Sequence, residues 1–124
     1  MDPRIHKVLI LMENDLRRKL SVSKMAQLVN LSPSRFHHLF KSETGMTPAI
    51  YLKDYRMKKA QSLLEITALS VKEIARRVGV SDDSHFVRDF EKAFGLTPAR
   101  YRAFFFSNYL SEDDSTKRSS RISQ

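Results

Sequence analysis

The chain has 124 residues, of which 41% are hydrophobic, enough for one packed domain or two very small ones sharing a core, and this excludes a wholly disordered protein. Its net charge of +8 makes nucleic acid the first candidate partner and an anionic membrane surface the second. The absence of cysteine excludes disulfide bonds and thiolate metal sites, and it is typical of a reducing cytoplasm. The longest strongly apolar run, VLILM at 8–12, is too short to cross a bilayer, so we expect a soluble chain.

Helix-capping signals predict an all-α chain of seven helices, because no segment shows the alternation that is typical of strands. The first predicted helix begins at Pro3 and carries an apolar residue about once per turn. The second runs from about Ser23 to Asn30, which stands where a C-terminal glycine is expected. The third begins at Pro33 and continues to about Glu43.

The fourth predicted helix begins at Pro48 and ends at about Ile66. It carries residues available for packing along its length. A fifth helix follows, in which Ser70 and Glu73 have the spacing of a capping box. Gly79 can end this helix in the left-handed conformation.

The sixth predicted helix follows Ser81 and runs to about Phe94, and the seventh runs from Pro98 to about Leu110. Residues 111–124 (SEDDSTKRSSRISQ) are polar and show no helical period. They carry three basic and three acidic side chains, so the net positive charge belongs to residues 1–110. We expect this last segment to be a disordered tail.

Most of the chain consists of one unit that occurs twice. LSVSKMAQLVNLS (20–32) returns as LSVKEIARRVGVS (69–81), with six of 13 positions identical. SRFHHLFKSETGMTPAIY (34–51) returns as SHFVRDFEKAFGLTPARY (84–101), with eight of 18 positions identical. A short helix, a tight turn and a second helix form the helix-turn-helix arrangement, so the sequence predicts two such motifs.

The predicted organisation is an N-terminal helix-turn-helix subdomain at 1–47, a linker helix at 48–66, a second helix-turn-helix subdomain at 67–110, and the tail. About 17 residues of linker helix span roughly 26 Å. Neighbouring major grooves on one face of B-DNA are about 34 Å apart, so with the width of each unit added, one monomer can reach both. A long, non-palindromic site can then be covered without dimerisation.

One side of each motif's second helix is apolar and the other is polar. At 100° per residue, Phe36, Leu39 and Phe40 converge on one side of the third helix. The opposite arc carries Ser34, His37, His38, Lys41 and Ser42. The repeat places Ser84, Val87, Arg88 and Glu91 on the matching arc of the sixth helix, with His85 and Lys92 at its edges. Such arcs suit a DNA major groove, although their composition fits an ordinary solvated surface or a protein-docking surface equally well.

The pattern of residues in the sequence supports neither an enzyme active site nor a metal site. The adjacent His37 and His38 diverge by 100° around a helix, whereas paired ligands usually lie one turn apart, and no third ligand accompanies them. The chain has no glycine-rich phosphate loop, no nucleophile elbow and no paired carboxylates in an evident cleft. We therefore predict no catalytic residue, no metal and no cofactor. A membrane-surface role is disfavoured, because no helix opposes a broad apolar face with lysines.

The segment IARRVGVSDDSHFVRDFEKAFGLTPARYR (74–102) resembles the signature of the AraC/XylS family of bacterial transcription regulators. That signature runs Ile-Ala, a turn glycine, Ser-x-Phe-x-Arg-x-Phe, Gly-x-Thr-Pro and Tyr-Arg. SPSRFHHLFKSETGMTP in the first copy is similar to the family's other helix-turn-helix, and the resemblance covers about 1–105. It implies two helix-turn-helix subdomains on a long helix, which bind asymmetric double-stranded promoter sites and usually activate transcription at the bacterial nucleoid.

Carried over position by position, the resemblance gives base-reading roles to Ser34, His37, His38, Asp83, Ser84, His85 and Arg88. Arg88 is the foremost of these, because a guanidinium can bind guanine O6 and N7 together. The residues expected to bind phosphate, through helix N-termini or a lysine side chain, are Ser23, Ser32, Lys41, Ser70 and Lys92.

Two positions and the last helix depart from the family pattern. Val80 stands where a phenylalanine usually follows the turn glycine, and Glu91 replaces a usual basic residue. The last helix is unusually aromatic; we expect Phe104 and Phe105 to pack inward and the following aromatic residues to lie exposed or touch a partner. Many family members carry an effector-binding or dimerisation domain before this module. The resemblance thus implies a monomeric DNA-binding module, acting alone or within a longer regulator, with RNA polymerase as a candidate partner.

Overall fold

The computed structural model describes residues 1–17 and 20–123, and within this part the side chains of 1–17 and 20–110. The described residues form seven α-helices and no strand. These helices are α1 (Pro3–Asn14), α2 (Val22–Leu28), α3 (Pro33–Thr44), α4 (Pro48–Ile66), α5 (Val71–Arg77), α6 (Asp83–Phe94) and α7 (Pro98–Ser123). The predicted all-α fold of seven helices is therefore confirmed.

Short polar side chains cap the helices at their N-termini, where the first amides lack an intrahelical acceptor. The hydroxyl of Ser32 accepts a hydrogen bond from the amide of Arg35, at 3.2 Å. At α2 the capping residue is Ser21, whose Oγ accepts from the amide of Lys24 at 3.1 Å. The helix begins at Val22, one residue before the predicted start at about Ser23, because the serine two positions before Ser23 reaches that free amide.

Left-handed residues end the short helix of each repeat. Gly79 has φ +87°, and Asn30 at the equivalent position has φ +57°. Asparagine tolerates this conformation better than most other L-residues do, because its short polar side chain can bond locally. The prediction that Asn30 stands in place of the glycine at the end of this helix is therefore confirmed.

The core repeats with the sequence. Phe36 and Phe40 of α3 are fully buried, and so are Phe86 and Phe90, fifty residues later in α6. Each pair ends against a tyrosine of the following helix, edge to face: the ring centroids of Phe40 and Tyr51 are 5.5 Å apart, and those of Phe90 and Tyr101 are 5.6 Å apart. Such aromatic pairs contribute about 0.5–1.5 kcal/mol beyond the burial of their area. The apolar arcs of α3 and α6 are thus fixed inward, and their polar arcs face out.

The linker helix α4 packs against α3, α5, α6 and α7. Its C-terminal carbonyls lack intrahelical donors, and α7 supplies them. The guanidinium of Arg102 donates to the carbonyls of Leu64 and Thr67, at 3.1 and 3.2 Å. The hydroxyl of Tyr101 donates to the carboxylate of Glu65 in α4. The Tyr-Arg pair of the sequence motif therefore ties the last helix to the end of the linker.

The turn of the second motif lies against the first subdomain. A Cβ atom placed on Gly79 would lie 1.9 Å from the carbonyl oxygen of Leu16, which follows α1. The Nε of Arg56 in α4 lies beside the same glycine and is buried without a hydrogen-bond partner among the described residues. Burial lowers the pKa of this guanidinium. Gly79 therefore permits a backbone approach between the two subdomains that any side chain would prevent.

The last helix differs from the prediction in two ways. It continues to Ser123, past the predicted end at Leu110 and through most of the segment predicted to be a disordered tail. The physical reason is that no glycine or proline follows Pro98 to interrupt the helix. Phe104 is 58% exposed, so its predicted inward packing is wrong, whereas Phe105 is half-buried.

Candidate nucleic-acid interface

The polar arc of α3 forms a continuous exposed surface. Ser34, His37, His38 and Lys41 all line one open depression, with Val22 and Pro33 at its edge. The hydrophobic residues of the same helix, Phe36 and Phe40, are fully buried on the other side. The structure thus brings together all three residues predicted to read bases in the first motif and the predicted phosphate-binding lysine.

Two arginines that the sequence analysis did not assign lie beside this arc. Arg4 and Arg35 line a second cleft together with Ser34, His38 and Ser42. Arg4 comes from the first turn of α1, and its guanidinium pairs with the carboxylate of Asp2 at 3.0 Å. Arg35 could have been identified from the sequence, because it stands two positions before His37. Arg4 reaches the arc only through the packing of α1 on α3, which no local pattern encodes.

The polar arc of α6 is less uniform than that of α3. Ser84, Arg88, Glu91 and Lys92 are exposed as expected. Val87 is half-buried, so its placement on the outward arc was only partly right. Arg88 lies in the middle of α6, and its side chain is exposed.

Asp83 and its neighbour Asp82 have different tasks at the start of α6. Asp82 caps the helix, and its Oδ1 accepts from the amide of His85 at 2.9 Å. That backbone hydrogen bond lowers the pKa of the Asp82 carboxyl. The Oδ1 of Asp83 instead accepts from the guanidinium of Arg76 at 2.9 Å. Half of the Asp83 side chain remains exposed, so its second oxygen can still meet a donor.

Asp89 is the acidic residue that the sequence analysis missed. Its side chain is only 14% exposed and lies between α6 and α4. One oxygen pairs with the Nζ of Lys53 at 3.2 Å, and the other with the Nε2 of His85 at 3.0 Å. The spacing of His85 and Asp89, one turn apart, could have indicated the second pair. The first depends on how the linker helix packs.

The predicted phosphate-binding positions divide into two groups. Ser32 caps the 12-residue helix α3, and Lys41 and Lys92 are exposed on the two polar arcs. Ser70 caps α5, but its hydroxyl also donates to the carboxylate of Glu73 at 3.1 Å. That carboxylate places a negative charge at the N-terminus of α5 and weakens its attraction for phosphate. Ser23 does not cap α2.

Within the side chains that the structure describes, no group of three or more His, Cys, Asp or Glu converges as metal ligands do. No helix in the described part of the chain combines the length and the apolar character needed to cross a membrane.

The comparisons with known proteins agree with this geometry. A helix-turn-helix domain family matches residues 25–103. A transcriptional regulator from Chromobacterium violaceum, described as containing an AraC-type DNA-binding domain, has a similar structure with a TM-score of 0.74. It is 31% identical over 82% of this chain and 90% of its own. The chain belongs to the AraC-type helix-turn-helix family.

Two further relatives extend the comparison. The DNA-binding domain of the global transcriptional factor AdpA, solved in complex with a target DNA, matches with a TM-score of 0.80. It is 31% identical, and the match covers 87% of this chain and 96% of that domain. The arabinose operon regulatory protein of Escherichia coli K12 is 33% identical over 104 residues, which are 83% of this chain and 36% of the regulator.

The family resemblance inferred from the motif at 74–102 is thereby confirmed. AraC-type domains are DNA-binding domains of transcription regulators and not enzymes. The chain spans about a third of the length of the arabinose regulator that it matches.

Proposed function

We propose that this chain binds a specific double-stranded promoter sequence by placing α3 and α6 in adjacent major grooves, and that it activates bacterial transcription. The observation that supports this most is the duplicated scaffold, in which equivalent helices bury two phenylalanines each and present polar arcs outward. The linker α4 has 19 residues. At 1.5 Å per residue it spans about 28 Å, against about 34 Å between neighbouring major grooves.

In this proposal the two recognition helices read bases with the residues that their arcs expose. Arg88 donates to O6 and N7 of one guanine, the most specific contact available to a single side chain. His37 and His38 each bond one base-edge acceptor or a phosphate, with shorter reach. The remaining base contacts come from Ser34, Asp83, Ser84 and His85.

Phosphate contacts fix the domain on the duplex without reading sequence. Lys41 supplies a point charge on α3, and Lys92 supplies one on α6. At the N-terminus of α3, Pro33 has no N–H and the amide of Arg35 donates to Ser32, so the amide of Ser34 is the one left for a phosphate, which the helix dipole favours. Since Glu73 lies at the start of α5, the contribution of Ser70 is smaller.

The proposal also covers the protein partners of the chain and its location in the cell. The two units, 1–47 and 67–110, act as one monomeric DNA-binding module on the linker 48–66. The module works within a regulator that also carries an effector-binding or dimerisation domain, in keeping with the greater length of its relative. RNA polymerase is the proposed protein partner, in the bacterial cytoplasm at the nucleoid.

The test compares Arg88→Ala with Lys41→Ala in binding to promoter fragments and to random DNA over a range of salt concentrations. Arg88→Ala should cost about 1–3 kcal/mol on the specific site and relax the preference at one base position. Lys41→Ala should weaken both kinds of DNA equally and reduce the salt dependence by about one counterion. His38→Ala should change the footprint over the half of the site that α3 covers. Equal losses on specific and random DNA for Arg88→Ala would refute base reading by α6.

A further inference from the structure

Both carboxylate oxygens of Asp89 are used inside the protein, although the residue lies on a recognition helix. The Nζ of Lys53 lies 3.2 Å from Oδ1, and the Nε2 of His85 lies 3.0 Å from Oδ2. With 14% of its side chain exposed, the acid cannot reach a base itself. His85, by contrast, is 59% exposed at the outer edge of the helix.

The contact with Asp89 decides which ring nitrogen of His85 is left for a partner outside the protein. The Nε2 of His85 lies 3.0 Å from a carboxylate oxygen, and because a carboxylate only accepts hydrogen bonds, this contact favours the ring tautomer with its hydrogen on Nε2. In the neutral ring the other nitrogen, Nδ1, is then an acceptor.

The first motif shows that the scaffold does not need an acid at this position. The residue equivalent to Asp89 is Leu39, half-buried and packed against the core, and the one equivalent to His85 is Arg35. The two motifs nevertheless keep the same pair of buried phenylalanines. Helix packing alone therefore does not explain Asp89.

Lys53 explains how a nearly buried carboxylate is retained. Removing a charge from water is unfavourable unless an opposite charge compensates it. Lys53 comes from α4, so the pair also fixes the carboxylate relative to the linker helix and not only within α6. His85 is thus oriented relative to the frame that carries both motifs.

We propose that Asp89 is a positioning residue for base recognition, which holds His85 so that its Nδ1 accepts a hydrogen bond from the exocyclic amino group of a base in the major groove. The inference rests on the proposed DNA-binding function. Two bases present such a donor there, adenine through N6 and cytosine through N4. His85 should therefore prefer the base pair that places one of these amino groups at its position.

The test measures affinity for a specific site and for variants of it in which each position carries all four base pairs in turn. The wild-type domain should discriminate by at least about fivefold at the position that His85 meets, and the favoured base distinguishes adenine from cytosine. Asp89→Asn should lose this preference, because one amide oxygen cannot serve both Lys53 and His85. Asp89→Leu, which introduces the residue of the first motif, should do the same.

Asp54→Asn is the matched control. It also removes one negative charge, from a carboxylate that pairs with Lys58 on the surface of α4. Any general gain in affinity from the lost charge should appear in both asparagine variants, whereas only Asp89→Asn should change the preference. In a His85→Ala background, Asp89→Asn should leave the preference unchanged, because its effect passes through the imidazole.

A second readout does not involve DNA. Nitrogen-15 NMR of the free domain should show the His85 ring protonated at Nε2 in the wild type, and a changed tautomer population in Asp89→Leu. Retained base preference in both Asp89 variants, or an unchanged tautomer, would overturn the positioning role. If the wild-type domain binds every fragment equally, the proposed function itself fails, and the positioning role fails with it.

Discussion

Gly79 is the residue at which the second helix-turn-helix motif meets the first subdomain. Its φ of +87° is one that L side chains rarely adopt, and an added Cβ would also lie 1.9 Å from the carbonyl oxygen of Leu16. Gly95 has nearly the same backbone conformation, with φ +82°, but an added Cβ there would have no atom within 4 Å. The two glycines separate the cost of conformation from the cost of close packing.

Gly79→Ala should therefore destabilise the domain more than Gly95→Ala. Gly95→Ala should lower the free energy of unfolding by about 1–2 kcal/mol, because only the left-handed conformation disfavours alanine there. Gly79→Ala should lose the same amount and, because the added Cβ is overpacked, typically about 1–3 kcal/mol more. Urea denaturation of the two variants measures the difference in free energy of unfolding. Equal losses would mean that the turn and Leu16 do not hold each other in solution.

The same residues show what the sequence could and could not predict. A glycine after a short amphipathic helix predicts a left-handed end, and Gly79 has that conformation. Its contact with Leu16 lies more than sixty residues away along the chain, and no periodicity encodes it. The exposed arcs at Ser34, His38 and Arg88 followed from helical spacing. The pairing of Lys53 with Asp89 did not, because it depends on how two helices pack.

At the scale of the element, the helix ends depend on single capping side chains. Two serines, Ser21 and Ser23, lie at the start of α2, and Ser21 is the cap, because its hydroxyl accepts from the amide of Lys24. Ser23 lies within the first turn and is exposed. Only one of the two substitutions to alanine should then remove a hydrogen bond.

Ser21→Ala should lower the free energy of unfolding by about 0.5–2 kcal/mol, since one amide of the first turn loses its acceptor. Ser23→Ala should change it by less than about 0.5 kcal/mol, because alanine is a better helix former and no cap is lost. Thermal or urea unfolding followed by circular dichroism distinguishes them. A larger loss for Ser23→Ala would place the start of α2 where the sequence first predicted it.

Local signals placed most helix ends well, since caps, prolines and glycines act within a few residues. The start and end of α4, at Pro48 and Ile66, agree with the prediction. The end of α7 does not, because a polar composition marks neither a cap nor a break. Composition predicts whether a segment can bury a core, whereas the end of a helix is set by particular residues.

At the scale of the whole molecule, the linker makes one body of the two motifs. The helix α4 is continuous over 19 residues, contains no internal glycine or proline, and packs on α3 as well as on α5, α6 and α7. Arg102 of α7 caps its C-terminus, and the turn at Gly79 lies against Leu16. These contacts hold α3 and α6 at a fixed separation and a fixed relative angle.

A rigid linker makes a specific demand on the spacing of the two half-sites in DNA. Inserting five base pairs between them turns the second half-site to the opposite face of the duplex, so α6 should lose its groove. Inserting ten base pairs restores the face but lengthens the distance by one turn, about 34 Å. A flexible tether could follow that change, but the packed helix α4 cannot.

Both insertions should therefore reduce affinity to that of the first half-site alone, and the ten-base-pair insertion should not rescue it. Arg88→Ala provides the internal control, because it should weaken binding to the intact site and leave binding to both insertion sites unchanged. Electrophoretic mobility shifts at fixed salt, with footprints on each site, measure these affinities. Recovery of tight binding at ten base pairs would show that the two motifs move independently, because two motifs held at a fixed separation cannot both reach half-sites that have moved apart.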